Sequence, residues 1–548
     1  IRYISTGKRV WITFSIFRKR YLSSYTHPAF CEKYEIENTT DRQLAVEFPT
    51  FTSSYYTDKT KGVEGTYRLT TTLSSSMPVS TFYLNPGSKA WFQVVYTGYK
   101  EADRDLKLNV EQELAARRGF LRLLRNNLVL ETPSKVLNTM FSFAKIRSSE
   151  SIFDTKGGYM QSPGGEAYYA AIWANDQAEY INPFFPYLGY QAGNRSAMDS
   201  FGLFMRYMND EYHPLPSSII AEGTDCFGVA GDRGDVAMVA YGASRYALAS
   251  GSHSDAEKLW PLIEWCLEYC HRKLNEKGVV DSDSDELENR FPAGKANLCT
   301  SSLYYDALNS AAYLGKALRK DGKLVKLYQK TAADLYENIH DYFAANVEGY
   351  DAYRYYDGNT VLRSWICIPL AMGIYERAKE TVDALFSDKL WMENGLLTQS
   401  GTSTYWDRST LYAFRGTYAC GAREIATEYL EKYSATRLLG DHVPYAVEAW
   451  PEGNQRHLST ESALYCRVMT EGLFGIRPIA LNAFKLTPQL PEGWNVMSLR
   501  RICAFGVTFD IEVRRIKGNA LRVLIKKDNG RMEKHRIENG QSIDVCIR

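Results

Sequence analysis

Three widely separated segments of this sequence concentrate carboxylates among aromatic residues. They are YYAAIWANDQAEYINPFFPYLG (168–189), VVDSDSDELENRFPAGKANLCTSS (279–302) and HVPYAVEAWPEGNQRHLSTESALYCR (442–467). Hydrolysis of a glycosidic bond requires two carboxyl groups, one that protonates the leaving oxygen and one that activates water or attacks the sugar. An aromatic ring beside a carboxylate suits a sugar, because the C–H face stacks on the ring while the hydroxyls bond to the acid. The three segments therefore predict carbohydrate chemistry.

The first segment predicts a sugar-binding surface. Trp173, Asn175, Asp176 and Glu179 lie in an aromatic stretch that enters a helix. We expect these four side chains to bind the substrate, with the tryptophan stacked on a sugar face. The alternative is local helix chemistry, in which Asp176 only caps the helix or interacts favourably with its dipole.

The second segment is the most acidic part of the chain. Asp281, Asp283, Asp285, Glu286 and Glu288 fall within eight residues. Crowded carboxylates raise one another's pKa, which is what a general acid working near neutral pH requires. We expect the general acid here, with Glu286 among the substrate contacts. The alternatives are a solvated turn and a calcium loop, but the sixth-position glycine and twelfth-position glutamate of an EF-hand are missing, so neither a metal nor a cofactor is expected.

The third segment predicts the general base, because Glu448 and Glu452 flank Trp450 just before the last helical segment. The alternative is two exposed acids on a polar loop. Two further loops are expected to form walls of the same pocket. The loop 219–235 contributes Asp232 and Arg233, and the loop 402–410 contributes Trp406 and Asp407.

The elements that must position these loops change type along the chain. We predict an N-terminal antiparallel β-sandwich (1–107), a linker helix (108–132), a helical region (133–477) and a small C-terminal β domain (478–548). Sequential amphipathic hairpins with long loops at one end predict an (α/α)6 toroid, so the fold class is multidomain and mainly α. The predicted helical segments are 134–148, 165–181, 195–210, 233–250, 255–274, 301–319, 323–343, 359–373, 375–387, 408–438 and 457–472.

The bulk composition excludes several classes of protein. The net charge of +1 over 548 residues offers no field for nucleic acid. No run approaches the roughly 20 apolar residues of a membrane span. The ten cysteines contain no CxxC pair, so neither a zinc site nor a disulfide framework is expected. The expected partner is an oligosaccharide or glycoside. The chain begins with Ile1, and we expect a periplasmic or extracellular enzyme if a leader was removed and a cytoplasmic one otherwise.

Short motifs in these segments resemble those of the six-hairpin glycosidases, which include glucoamylases, trehalases, processing glucosidases and rhamnosidases. Trp173–Asp176 resembles a W-x-R-D segment whose aspartate holds sugar hydroxyls, with Asn175 in place of the arginine. Asp285–Glu288 resembles D-x-W-E, which implies Glu288 as general acid. The same stretch also fits the pattern E-S-G-x-D, which implies Asp285 instead. Val447–Trp450 resembles the base-bearing loop and implies Glu448 as base.

The resemblance implies an inverting, exo-acting glycoside hydrolase for α-linked oligosaccharides or glycoconjugates. The departure at Asn175 leaves the sugar open. Three alternatives fit the same architecture or aromatic content: a glycoside phosphorylase, a polysaccharide lyase and a non-catalytic carbohydrate-binding protein. A carboxylate base favours water over phosphate, and crowded acids would repel the polyanionic substrate of a lyase.

Overall fold

The computed structural model describes residues 11–18, 29–47, 51–60, 65–77, 81–103, 108–155, 157–162, 171–220, 226–227, 231–440, 444–450 and 460–547, with only the backbone of 11–18, 227, 449 and 450. The chain divides into two compact units, Ile1–Leu123 and Leu124–Arg548. Each unit has its own core, and the candidate site residues all lie in the second.

The first unit is an antiparallel β structure followed by most of helix α1 (Val110–Asn126). Its strands are β1 (Trp11–Arg18), β2 (Ala29–Glu37), β3 (Leu44–Glu47), β4 (Phe51–Tyr56), β5 (Tyr67–Ser75), β6 (Thr81–Leu84) and β7 (Lys89–Lys100). A five-stranded sheet runs β1-β2-β7-β5-β4, and β3 pairs with β6. Alternate residues of β6 and β7 point inward, and Phe82, Leu84, Phe92 and Val94 form the core between them.

The second unit is rich in helices. They are α2 (Lys135–Glu150), α3 (Phe185–Leu188), α4 (Gln191–Met205), α5 (Asp235–Ser250), α6 (His253–Arg272), α7 (Leu298–Ala317), α8 (Gly322–Phe343), α9 (Ile368–Met372), α10 (Ala378–Leu385), α11 (Asp407–Ala419), α12 (Arg423–Tyr433) and α13 (Thr460–Arg467). Helices α5, α7 and α11 are buried along most of their length, whereas α6, α8 and α12 bury one face. Helix α5 packs against α6 and α7, and α7 packs against α8. The helix-rich fold is thus confirmed, while the closed six-hairpin toroid stays a prediction.

Short strands occur between the helices, and two small sheets close the second unit. The strands are β8 (Val129–Glu131), β9 (Ile152–Thr155), β10 (Gly158–Gln161), β11 (Ala171–Trp173), β12 (Ser218–Ile220), β13 (Cys226–Phe227), β14 (Trp391–Met392), β15 (Gly395–Leu396), β16 (Tyr405–Trp406), β17 (Ala449–Trp450), β18 (Ile476–Ala480), β19 (Ala483–Leu486), β20 (Val496–Ile502), β21 (Phe509–Lys517), β22 (Ala520–Lys527), β23 (Met532–Glu538) and β24 (Ile543–Cys546). One C-terminal sheet runs β18-β19-β24, and the other runs β23-β22-β21-β20-β8.

Three of the predicted helices that differ from the structure do so for identifiable reasons. The predicted linker helix ends early because Leu128 takes a φ of 48°, after which β8 joins the C-terminal sheet beside β20. The segment 165–181 begins with strand β11 where it is described, because β11 pairs with β12. The single helix predicted over 408–438 is two helices, since Gly421 with a φ of 93° allows a left-handed turn between α11 and α12.

Candidate active site

The first acidic segment forms a wide helical turn. Residues Asn175–Ile181 follow strand β11 as a π-helix, and every side chain in that turn is buried. Short π-helical turns are frequent at functional sites, because the extra residue per turn displaces side chains from the regular helical positions. Here the turn places Asn175, Asp176, Glu179 and Tyr180 in the interior of the second unit.

Arg408 joins this turn to the third segment. Its side chain is 3% exposed, and its Nη2 lies 2.9 Å from Asp176 Oδ1. Its Nε lies 2.6 Å from Glu461 Oε1 at the start of α13, and its Nη1 lies 3.9 Å from Glu448 Oε1. Thr460 donates a further hydrogen bond to Asp176 Oδ1 at 2.9 Å. One buried guanidinium therefore holds carboxyl groups from the first and third segments together.

The two residues that precede Arg408 also fix the segment that carries Glu448. Strands β16 and β17 are antiparallel, with Trp406 opposite Ala449. Asp407 Oδ2 accepts a hydrogen bond from the Val447 amide at 2.8 Å. Glu448 therefore emerges from a backbone held at both neighbouring residues. The side chain of the predicted contact Trp450 lies outside the described residues.

The second segment contributes three carboxyl groups with different surroundings. Glu286 Oε2 accepts hydrogen bonds from Asn175 Nδ2 at 3.2 Å and from the Tyr180 hydroxyl. Asp285 is buried and its Oδ2 lies 3.7 Å from Arg363 Nη2. The side chain of Glu288 is 46% exposed and pairs with Arg233 Nη1 at 2.9 Å. Only Glu286 bonds directly to the first segment.

A second arginine connects the second and third segments. Arg290 Nη2 lies 3.3 Å from Glu448 Oε1. Its guanidinium also lies over the ring of Trp406, 5.3 Å from the centroid, and Trp406 itself is buried. The second acidic segment is thus in direct contact with the predicted base and with one predicted wall of the pocket.

Burial dominates the electrostatics of these acids. Burial raises the pKa of Asp176 to about 7, although the Arg408 charge opposes it. Burial likewise raises the pKa of Glu286, again against Arg408. The pKa of Glu179 is raised by burial and by the nearby charge of Glu286, and that of Glu461 by burial. Carboxyl groups with raised pKa can hold and deliver protons near neutral pH.

The remaining predicted contacts have mostly internal partners. Asp232 accepts hydrogen bonds from the Tyr269 hydroxyl at 2.6 Å and the Gly234 amide at 2.9 Å, and burial raises its pKa to about 6. Arg233 pairs with Asp235 at 2.7 Å. Trp173 is half-buried in β11, with its backbone opposite Ser218. These side chains brace the loops, and their contact with a substrate stays a prediction.

Sequence reasoning missed three residues of the site. Tyr180 and Glu461 lie inside the first and third segments, and each could have been found from its spacing to the predicted acids. Arg363 lies in a stretch that the sequence marks only as helical, and no nearby acid signals it. All three are buried.

Two searches of the described residues concern ligands and membranes. They contain no group of three or more His, Cys, Asp or Glu side chains that could hold a metal ion. Among the helices in these ranges, none is both long and apolar enough to cross a bilayer.

No protein-family model and no curated protein matches the sequence, but solved structures match the fold. One named "Sialidase" has a TM-score of 0.58 at 12% identity, over 97% of this chain and 62% of its own. The GH78 family rhamnosidase of Bacillus sp. GL1 has a TM-score of 0.56 at 11% identity, over 93% and 53%. The α-L-rhamnosidase from Dictyoglumus thermophilum has a TM-score of 0.52 at 10% identity, over 94% and 58%.

These likenesses define the class of fold. The chain shares the fold of these three proteins, two of which are named as rhamnosidases, so the resemblance that the motifs predict is confirmed for the fold, while the closed toroid stays a prediction. The chain spans 53% to 62% of the length of these three proteins. At this level of identity the likeness shows the fold alone, and activity rests on the site.

Proposed function

We propose that this chain is a glycoside hydrolase that inverts the anomeric carbon and removes terminal sugars from α-linked oligosaccharides or glycoconjugates. The observation that carries the proposal is the convergence of acids on Arg408, which contacts Asp176, Glu461 and Glu448. Its charge also acts on Glu286. Carboxyl groups from two of the acidic segments therefore contact one guanidinium whose charge reaches the third, and this gathering offers candidates for both members of a two-carboxylate mechanism.

Glu286 is the best candidate for the general acid. Its Oε2 is held by Asn175 and Tyr180, while its Oε1 has no hydrogen-bond partner among the described residues. Burial raises its pKa, which keeps a proton available for the leaving oxygen. The two candidates from the motifs fit less well. Burial raises the pKa of Asp285 as well, but the charge of Arg363, 3.7 Å away, opposes it. Glu288 is half-exposed and paired with Arg233.

Glu448 is the best candidate for the general base. Two arginines, Arg290 and Arg408, lie within 3.3 and 3.9 Å of its Oε1. Neighbouring positive charge favours the ionised form that a base needs in order to take a proton from water. The hydrogen bond from the Val447 amide to Asp407 fixes the backbone next to it.

The exo-acting part of the proposal rests on the architecture. Alternation of fully buried and one-faced helices is what two concentric layers of an (α/α)6 barrel would produce. Loops gathered at one end of such a barrel would form a blind pocket, which admits the end of a chain rather than its middle. The inverting mechanism follows from the resemblance to six-hairpin glycosidases.

The test is hydrolysis of a panel of aryl α-glycosides, beginning with 4-nitrophenyl α-L-rhamnoside, by the wild type, Glu448→Gln and Glu286→Gln. We expect Glu448→Gln to lose on the order of 100-fold or more in kcat on every substrate. Glu286→Gln should lose as much on poor leaving groups but much less on 2,4-dinitrophenyl glycosides, which need little protonation. The matched control is Glu276→Gln, because Glu276 is exposed in the turn after α6.

Three results would contradict this proposal. The first is unchanged turnover by Glu448→Gln, and the second is a product that retains the anomeric configuration in a proton NMR time course. The third is cleavage that depends on added inorganic phosphate, which would indicate a glycoside phosphorylase.

A further inference from the structure

A buried arginine beside the candidate acid has an unsatisfied edge. The rings of Phe291 and Tyr355 lie 5.1 and 4.7 Å from the Arg363 guanidinium. Its Nη1 donates to the Pro292 carbonyl at 2.9 Å. Its Nε and Nη2 make no hydrogen bond among the described residues, although the side chain is only 1% exposed. The two rings thus pack against the guanidinium, while the Nε and Nη2 donors on one edge lack a hydrogen-bond partner among the described residues.

The groups around this edge are also unsatisfied. Asp285 Oδ2 lies 3.7 Å from Arg363 Nη2, which is beyond hydrogen-bond distance, and it accepts no hydrogen bond from the described residues. The buried Tyr355 hydroxyl lies close enough to interact with the Asp285 carboxyl group, although the two do not reach hydrogen-bond geometry. Buried polar atoms are nearly always paired, so a donor edge and an acceptor left open together indicate the place of a polar ligand.

We propose that Arg363 and Asp285 form a clamp for two adjacent hydroxyls of an uncharged sugar, next to Glu286. The inference rests on the proposed function, since Asp285 is the chain neighbour of the candidate acid. The Nε–H and Nη2–H groups point the same way and donate to two neighbouring oxygens. Each sugar hydroxyl can accept from the guanidinium and donate to the Asp285 carboxylate at the same time.

The acid beside Arg363 disfavours a carboxylate, which is the other kind of ligand that an arginine edge can bind. The same two donors could take a carboxylate in bidentate fashion. However, Asp285 already places a carboxyl group 3.7 Å from Nη2, and burial raises the pKa of that group, so this space disfavours negative charge. A uronate or another sugar acid would bring a further negative charge into this space. A neutral sugar with vicinal hydroxyls avoids that repulsion.

The test is binding of sugars to the full chain by calorimetry, using D-glucose, L-rhamnose, 2-deoxy-D-glucose, 3-deoxy-D-glucose and D-glucuronate. We expect a neutral sugar to bind, and removal of one clamped hydroxyl to weaken binding about tenfold or more. Arg363→Met should bind the parent sugar only as weakly as the wild type binds the deoxy analogue. Asp285→Asn should narrow the preference for glucose over glucuronate. Arg423→Met is the matched control, because Arg423 donates to Gln489 Oε1 at 2.8 Å at the start of α12.

The outcomes separate this inference from the proposed function. Binding that depends on Arg363 without turnover of any glycoside would leave the clamp intact and contradict the hydrolase. Turnover with a KM unchanged in Arg363→Met would overturn the clamp, as expected if water alone fills this space. Tighter binding of glucuronate than of glucose, or no binding of any neutral sugar, would also overturn it. Circular dichroism of each variant establishes that a loss of binding is not a loss of folding.

Discussion

Two buried clusters in the second unit differ in their ratio of carboxyl groups to arginines. Around Arg408, one guanidinium lies within 3.9 Å of carboxyl oxygens from Asp176, Glu448 and Glu461. Around Glu471 the proportion is reversed. Arg415 Nη2 lies 2.8 Å from its Oε2, and Arg467 pairs with its other oxygen.

The ratio of carboxyl groups to arginines in each cluster determines the direction in which the pKa of a carboxyl group is shifted. Burial raises the pKa of Asp176 to about 7, and one shared arginine does not reverse it. Burial opposes ionisation of Glu471 too, but two arginines outweigh it and lower its pKa to about 2. Asp306, held by Arg245 and Arg477, also has its pKa lowered. A cluster with more carboxyl groups than arginines can exchange protons near neutral pH. We therefore infer a structural role for the arginine-rich clusters around Glu471 and Asp306.

The largest effect on stability is expected from breaking the arginine-rich cluster. Glu471→Gln keeps the shape of the side chain but leaves Arg415 and Arg467 buried without their carboxylate. Because arginine does not lose its proton at accessible pH, the cluster cannot neutralise itself. We expect a loss of about 3 to 5 kcal/mol, seen as a lower unfolding temperature with little change between pH 5 and pH 8. An unfolding temperature within one degree of the wild type would contradict the structural role.

Arg408→Met tests the acid-rich cluster in the opposite sense. Its carboxyl groups can take up protons, so the loss of stability should be smaller than for Glu471→Gln and should grow as the pH rises from 5 to 8. The loss of activity should be larger, on the order of 100-fold in kcat/KM. Arg423→Met is again the control for the loss of an arginine outside this cluster, since the Arg423 side chain is partly buried and bonded to Gln489. A loss of stability that does not depend on pH would show that the acids of this cluster do not titrate as inferred.

The substitution Asp176→Asn removes one titratable carboxyl group, so comparison with the wild type measures the contribution of that group alone. The pKa of Asp176 is about 7 in the folded chain and about 4 in an unfolded one. Between these values the folded chain keeps a proton that the unfolded chain releases, so this group stabilises the fold at low pH and its contribution is lost as the pH rises towards 7. Relative to Asp176→Asn, the wild type should lose roughly 1 to 2 kcal/mol between pH 5 and pH 7. Parallel thermal melts of both proteins would show a constant difference if the pKa were not raised.

Sequence patterns predict the larger features because hydrophobic periodicity is local. The alternation in β6 and β7 is visible within one element. So are the apolar stripes of α6 and α8, and these two helices form close to the predicted ranges 255–274 and 323–343. The ends of elements depend on distant partners. Residues 129–131 form a strand because β20, from the far end of the chain, pairs with them. No local pattern carries that information.

The site divides in the same way. Acidic segments rich in aromatic residues identify Asp176, Glu286 and Glu448 as functional candidates, and Arg408 brings these segments together. The role of each acid within a segment depends on its partner elsewhere in the chain. Arg363 is 78 positions from Asp285 in the numbering, and their pairing arises only in the folded chain.

The smallest effect is expected at Glu288, which the D-x-W-E resemblance implies as the acid. Its side chain is 46% exposed, and its partner Arg233 keeps a second, buried partner in Asp235 at 2.7 Å. Exposed ion pairs contribute about 0 to 1 kcal/mol, so Glu288→Gln should unfold within a few degrees of the wild type. Its kcat on an aryl glycoside with a poor leaving group should fall less than tenfold, whereas Glu286→Gln should fall on the order of 100-fold. A larger fall in kcat for Glu288→Gln than for Glu286→Gln would assign the general acid to Glu288 and would support the alignment with D-x-W-E.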